Sequence, residues 1–544
     1  MASKKKHKRI RKQSSIVLPD WTGSLFGALC LILGIFAPVR LVNVFGGEGS
    51  AYWGAALELF FVLFALFGAG CARSVSIMIR RRAELGDIRN ARLIAGRSLG
   101  TAFFVSLFLA GAGYGLASFL CGTLFRLPLA KMALEIFLAA LIPLSLLWTL
   151  CGILDAFGKE KPVRFWNGLL GLLLFVTGPL FAAPLYDYGT KVGALLQNPS
   201  YRPAYGAMGA AAAFFISVMI CMLGLFFSWT AAARELRRVE LEETASQKTN
   251  EAWAAILRNA MPVCIPAFFA AVGLLGESIL FLQKGGAAQW GVYLGKCLPL
   301  TAVALAGAFT LALRMLPEFK LSFSGRSLRK SRDKCMLALR CTALYVIPAA
   351  VLFAALAEPF IGTLFQTGEL SGIYGPLRVS AISVVFFGLA FMLGAILFSM
   401  ELYYHLWIGL LLCTVVRLGA FYVFHSLLDL KLYSPAYANA IGSFVLCLFL
   451  LLSVRRQLKI SVSWGRIFLA PCISGAVMAG VSLLFSELLL KNTASPIRMI
   501  LSGGLGLFSY FAVSLLLRGA TRRELRCMPG GQWLIRLGGI LRLL

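Results

Sequence analysis

Residues 51–97 read AYWGAALELFFVLFALFGAGCARSVSIMIRRRAELGDIRNARLIAGR, and the fold class follows from this stretch. An apolar run over 51–79 passes directly into a loop that holds Arg80, Arg81, Arg82, Arg89, Arg92 and Arg97. A helix of about 20 apolar residues crosses roughly 30 Å of hydrocarbon, so the run reads as a membrane span. The arginines mark the side on which it ends, because Lys and Arg accumulate in loops that remain in the cytoplasm.

The same pattern recurs in both directions, giving fourteen candidate spans from 22–45 to 497–518. Loops after even-numbered spans are basic, with Lys159, Lys161 and Arg164, with Arg234, Arg237, Arg238 and Lys248, with Lys320, Arg326, Arg329, Lys330, Arg332 and Lys334, and with Arg455, Arg456, Lys459 and Arg466. Loops after odd-numbered spans hold at most one or two basic residues, such as Lys284 or Lys431. The alternation predicts an even span count with both termini cytoplasmic in a bacterial inner membrane. One loop on the cytoplasmic side is silent, Glu401 to Tyr404.

The 544 residues are 59% hydrophobic and 14% charged, which excludes a soluble surface, and no stretch between spans is long enough for a separate soluble domain. The net charge of +29 belongs to this topology and not to a nucleic-acid face. Lys4, Lys5, Lys6, Lys8, Arg9, Arg11 and Lys12 anchor a first helix expected to remain uncleaved. The thirteen cysteines lie singly in apolar segments or basic loops and read as packing residues. With only His7, His405 and His425 present, no metal site is expected. There is no GxxxxGK[ST] loop and no catalytic constellation, so neither an enzyme nor a cofactor is expected.

An internal repeat organises the spans. Gly46-Gly47 with Trp53-Gly54 matches Gly285-Gly286 with Trp290-Gly291, and Phe125, Gly152 and Trp166 match Phe365, Gly394 and Trp407, each at a separation of about 240 residues. Two homologous six-helix lobes follow, related by an axis along the membrane normal. The expected division is a basic tail over 1–20, an N-lobe of spans 1–6 over 21–233 and a linker over 234–252. A C-lobe of spans 7–12 over 253–456, spans 13 and 14 over 457–520 and an amphipathic cytoplasmic tail over 521–544 complete it. The fold class is thus an all-α polytopic membrane protein.

Charges inside spans are the candidate site residues, since each costs at least ~2.5 kcal/mol in hydrocarbon and must face water or a partner. They are Arg40, Glu58, Glu277, Lys296 and Arg417. Arg40 with Glu58, and Glu277 with Lys296, have the signs to neutralise one another across helices. Arg73, Arg314 and Arg340 stand at cytoplasmic span ends, where their guanidinium forks suit phosphate or pyrophosphate if they line a vestibule.

The segment Gly68-Ala-Gly-Cys-Ala-Arg73-Ser-Val-Ser76, with Gly86-Asp87 in the following loop, resembles the Gly-x-x-x-Ala-x-Ser segment of the polysaccharide-transport and stage V sporulation protein B family. Gly152-Ile-Leu-Asp-Ala-Phe-Gly-Lys-Glu-Lys-Pro162 is similar to that family's turn between spans 4 and 5, and Glu358-Pro359-Phe-Ile-Gly-Thr-Leu-Phe365 with Gly368-Glu369 to its loop between spans 9 and 10. The resemblance covers roughly residues 20 to 460. It implies the multidrug/oligosaccharidyl-lipid/polysaccharide (MOP) exporter superfamily, which includes MurJ-type lipid II flippases. Two departures stand out. The arginine pair of MurJ-type flippases before the span 2 glycine is replaced by Phe64 and Ala65, and the second-lobe counterpart of the span 4–5 turn, near Met400, has lost its Gly-x-x-Lys-Pro.

The implied function is an alternating-access flippase for a polyprenyl-pyrophosphate-linked oligosaccharide or cell-envelope precursor. Arg40, Arg73, Lys296, Arg314 and Arg417 would neutralise the pyrophosphate, and Glu58 and Glu277 would serve as counter-charges or sites for a coupling cation. The expected partners are the lipid-linked glycan and anionic phospholipid of the inner leaflet, with no nucleic acid. A cation-coupled multidrug exporter of the same superfamily and a non-transporting scaffold in envelope or spore assembly are the alternatives, separated by whether a central cavity is basic, acidic or absent.

The topology is checked by single-cysteine labelling with an impermeant maleimide. Cysteines at Gln289 or Ser371 should label from outside and those at Ser324 or Ser461 should not. External labelling at Ser324 would overturn the assignment.

Overall fold

The computed structural model describes residues 21–240, 253–324, 328–365, 372–459, 468–489 and 493–517. The expected basic N-terminal tail, most of the interlobe linker and the amphipathic C-terminal tail lie outside the described residues. Among the described residues, thirteen helices are long and apolar enough to cross a membrane, and the first of them, Ile32–Glu84, contains two spans. Gly46 breaks it with φ +70° and ψ −167°, a conformation that costs a glycine little.

The fourteen spans run over 21–45, 47–84, 88–124, Ala130–Ala156, Glu160–Leu195, Tyr201–Glu240, Trp253–Gln283, 287–324, Leu328–Ala355, Tyr374–Ser399, 403–427, Tyr433–Leu458, 470–489 and Ser495–Leu516. Asp87 caps span 3 by accepting the Asn90 backbone N–H at 3.2 Å. The turn between spans 4 and 5 passes through Gly158 at φ +72°. Its second-lobe counterpart, between spans 10 and 11, passes through Glu401 at φ +62°. The turn shape therefore survives the loss of the glycine motif, at the cost of a left-handed non-glycine residue.

Packing repeats with a shift of six spans. Span 5 lies against spans 1 and 6, and span 4 against spans 2, 3 and 6. Span 11 lies against spans 7 and 12 in the same way, and span 10 against spans 8, 9 and 12. Spans 13 and 14 pair with each other outside this arrangement, span 13 against span 9. Arg498 of span 14 is buried and fastens the pair by reaching Ser486 at 2.8 Å, Glu487 at 3.0 Å and Glu358 of the short helix Ala357–Leu364 at 3.6 Å.

Cross-loop contacts sort the loops into two ends. Arg80 meets Asp155 at 2.9 Å, Lys159 meets Glu235 at 2.7 Å and Arg332 Nε donates to the Leu458 carbonyl at 2.6 Å, which joins loops after even spans. Arg126 donates to the Gln283 carbonyl at 2.8 Å and Lys284 to that of His425 at 3.1 Å, which joins loops after odd spans. The molecule thus has a basic end and an opposite end, as the alternation of charge requires.

At the opposite end the lobes meet through glycine. A Cβ on Gly47 would strike the Ala288 carbonyl, and one on Gly291 would strike the Gly47 carbonyl and the Ala51 nitrogen. These are residues of the two repeat-related turns, so the duplicated segments close on one another by direct backbone approach, as small residues permit in membranes. Gly291→Leu should therefore wedge the lobes apart. A cysteine at Ser50, 2% exposed beneath this contact, should gain labelling from that side, whereas unchanged protection would show that the closure does not depend on Gly291.

Candidate functional site

At the basic end, spans 2, 4, 5, 8 and 10 surround a vestibule of about 470 Å³. Arg73, Arg80, Arg164 and Lys320 supply positive charge, against Asp155 and Glu160. Both carboxylates are engaged, Asp155 by Arg80 at 2.9 Å and by the Ser76 hydroxyl at 3.1 Å, and Glu160 by Arg164 one helical turn on. Neither Arg73 nor Lys320 forms an ion pair with a carboxylate among the described residues, although Lys320 feels the charge of Glu401, and the vestibule lining keeps a positive surplus.

Arg73 belongs to span 2, yet its guanidinium lies 4.6 Å from the ring centre of Phe398 and 4.7 Å from that of Tyr403, both across the lobe boundary. Its Nη2 donates to the Tyr403 hydroxyl at 2.6 Å, while Nη1 is buried without a hydrogen-bond partner. A cation held by ring faces is satisfied electrostatically but keeps N–H donors to offer. The silent loop Glu401–Tyr404 is where this charge arrives: the C-lobe supplies no basic residue there because the N-lobe does.

Phe398 also borders a second space, a partly open chamber of about 650 Å³ lined by spans 7, 8, 10, 11 and 12. Pro262, Pro266, Phe309, Phe387, Phe391 and Leu446 make its walls hydrocarbon. Its polar members are Thr414, whose hydroxyl is bonded to the Phe269 and Leu410 carbonyls at 3.0 and 2.9 Å, and Arg417. Arg417 is already neutralised: Nε and Nη2 bind the two oxygens of Glu277 at 2.6 and 2.5 Å, and Glu277 is fully buried. Gly442 of span 12 makes room for the arginine stem.

Next to this pair stands Glu58 of span 2, 4% exposed, with both oxygens buried and no hydrogen-bond partner. It feels the charges of Glu277 and Arg417 and adjoins Ser278. Trp290 Nε1 donates to the Ser278 hydroxyl at 2.9 Å beneath a roof of stacked rings, Phe281 with His425 at 4.6 Å and with Trp290 at 5.0 Å. Two carboxylates and one guanidinium thus share a buried lobe boundary.

No family model and no curated protein sequence matches the chain. Solved structures do. An inward-facing multidrug resistance MATE family transporter of the MOP superfamily aligns with a TM-score of 0.64 at 18% identity, over 80% of this chain and 98% of that one. The lipid II flippase MurJ in an inward closed conformation aligns with a TM-score of 0.63 at 14% identity, over 91% and 98%. A MOP superfamily transporter from Pyrococcus furiosus, described by a binding pocket of reverse polarity, aligns with 0.59 at 19% identity, over 80% and 95%. The chain has the MOP superfamily fold.

Within this MOP fold the expected charge pairs rearrange. Arg40 does not meet Glu58; it is exposed, 4.9 Å from the Phe175 ring of its own lobe. Glu277 does not meet Lys296, which is buried with its ammonium 5.2 Å from the Phe365 ring at a π-helical turn, Tyr293–Cys297. Arg417 takes Glu277 instead, because span 11 packs beside span 7, and so it does not face Arg40 across a cavity as a pyrophosphate clamp. Arg314 is exposed on span 8, and neither it nor Arg340 lines the vestibule. Of the residues singled out by sequence, the structure brings Glu58, Glu277 and Arg417 together and places Arg73 at the vestibule. Lys320, Phe398 and Tyr403 escaped sequence reasoning. The missing charge in the Glu401–Tyr404 loop was the signal that could have found Tyr403.

Breaking a buried ion pair strands a charge and costs roughly 3–5 kcal/mol, whereas replacing both members by hydrocarbon is close to neutral. Arg417→Ala should therefore lower the thermal unfolding midpoint of the purified protein strongly, and Arg417→Leu with Glu277→Leu should recover most of the loss. A single variant as stable as wild type would show that the pair is not buried.

Proposed function

We propose that the chain is an alternating-access transporter of the cell membrane, a flippase that moves an amphipathic anion from the cytoplasmic to the outer leaflet. The cargo class is a polyprenyl-pyrophosphate-linked oligosaccharide or related envelope precursor. The observation that carries this reading is the positive surplus of Arg73 and Lys320 at a vestibule bordering a hydrocarbon-lined chamber. A guanidinium with a buried, unpartnered N–H is suited to a phosphate oxygen, and charge-assisted bonds of that kind are shorter and about twice as strong as neutral ones. Glu58, a buried carboxylate with no ion-pair partner among the described residues, is the group we assign to a coupling cation or proton. Anionic phospholipid would gather at the basic end.

A cation-coupled multidrug exporter is the second reading, favoured by the largely apolar chamber and by Glu58. The two readings differ in the sign of what the vestibule binds.

Inorganic pyrophosphate should bind the purified protein in lipid nanodiscs. Arg73→Ala and Lys320→Ala should each weaken binding by about 10- to 100-fold, from roughly 1.5–3 kcal/mol per charge-assisted contact. Arg73→Lys should recover part of the loss, since the fork is missing. Absence of pyrophosphate binding, with tight binding of a lipophilic cation abolished by Glu58→Gln, would replace the flippase by the exporter.

A further inference from the structure

The vestibule and the C-lobe chamber have one side chain in common. Phe398 lines both, with the Arg73 guanidinium against its ring on the vestibule side. The chamber beyond it is walled mostly by hydrocarbon and offers a ligand chiefly dispersion and exclusion from water, with the Thr414 hydroxyl bonded to carbonyls and the Arg417 charge balanced by Glu277. A polar headgroup would lose its hydration there without compensation. The vestibule is the reverse, rich in donors and surplus cation. A space of about 650 Å³ falls within the ~300–1,000 Å³ range of pockets that enclose whole small ligands.

We propose that this chamber, and not the surrounding bilayer, receives a hydrocarbon segment of the cargo, while the anionic head rests in the vestibule between Arg73 and Lys320. The inference rests on the anionic-cargo reading above and names where the rest of that molecule goes. Phe398 is the partition between the two parts. Arg73 has one hydrogen bond, to Tyr403, and two ring faces to give up when an anion takes its N–H groups, and the ring it released would be free to turn and admit a chain. Cys413, 5% exposed and part of the chamber lining, is a native reporter of occupancy, and the exposed Ala270 and Leu313 line the same space from spans 7 and 8.

The test uses the full-length protein in nanodiscs with three probes: geranylgeranyl pyrophosphate, inorganic pyrophosphate and geranylgeraniol. Binding is measured directly, and alkylation of Cys413 is followed by peptide mass spectrometry. Geranylgeranyl pyrophosphate should bind at least about tenfold more tightly than pyrophosphate, since burying only a few methylene groups suffices for that gain. It should also slow Cys413 alkylation several-fold, which pyrophosphate should not do. Ala270→Trp and Leu313→Trp should each abolish the gain from the chain and leave pyrophosphate binding intact. Arg73-dependent pyrophosphate binding combined with an unprotected Cys413, or with wild-type affinity for the prenyl probe in both tryptophan variants, would leave the anion reading standing and overturn the chamber. Failure of pyrophosphate to bind wild-type protein would overturn the underlying reading itself. Equal protection of Cys413 by geranylgeraniol and its pyrophosphate would show a site for neutral apolar molecules and refute the coupling of head to tail.

Discussion

A charged side chain in hydrocarbon must find a partner within the protein, and the structure is arranged around how each buried cation does so. Arg417 takes a carboxylate in two-point contact, Arg498 takes Glu358 and Glu487, and Arg73 and Lys296 lie against ring faces. The two solutions differ in consequence. An ion pair with both oxygens engaged leaves no net charge to attract an anion, whereas a ring face leaves the cation unneutralised. Arg73 and Lys320 at the vestibule therefore keep a surplus of charge for an anion, whereas the charge of the mid-membrane arginine that stands out most in the sequence is balanced by Glu277.

The lobe boundary is sealed differently at its two ends. At the end opposite the basic loops, Gly47 and Gly291 bring backbone against backbone, a contact set by shape and indifferent to solutes. Deeper towards the basic end, Ser74 donates to the Ile256 carbonyl at 2.7 Å and Gly70 sits against Ala260. At the vestibule, Arg73 spans the boundary with groups that an anion or water can replace. An asymmetry of this kind suits a molecule whose ligand must act on one side first: binding energy can shift an equilibrium only where the ligand competes with a closing contact.

The same fold carries a multidrug transporter and a lipid II flippase, so architecture does not choose between them. The flippase reading we propose rests instead on sign and placement of charge. The vestibule has more cation than carboxylate, the chamber is hydrocarbon with its one charge pair neutralised, and the unpaired carboxylate, Glu58, lies apart from both linings. In the reading we propose, head, tail and coupling ion would have separate places in the chain.

Span number, the alternation of loop charge and the two matching glycine turns were legible in the sequence, because apolar length, positive charge in loops and duplicated motifs are properties of the chain read in one dimension. The candidate residues were legible as a set for the same reason: a charge inside an apolar run announces itself. Their pairing was not. Arg40 and Glu58 are neighbours in sequence but do not meet, while Glu277 and Arg417, far apart in sequence, bind at 2.5 Å because span 11 packs beside span 7. Nor could the sequence show that Arg73 would lie on Phe398 and Tyr403 of the other lobe, since nothing local links a residue of span 2 to the turn after span 10. Hydropathy and charge decided which residues enter the membrane; only the packing of one helix against another decided which of them are neutralised and which are left to act.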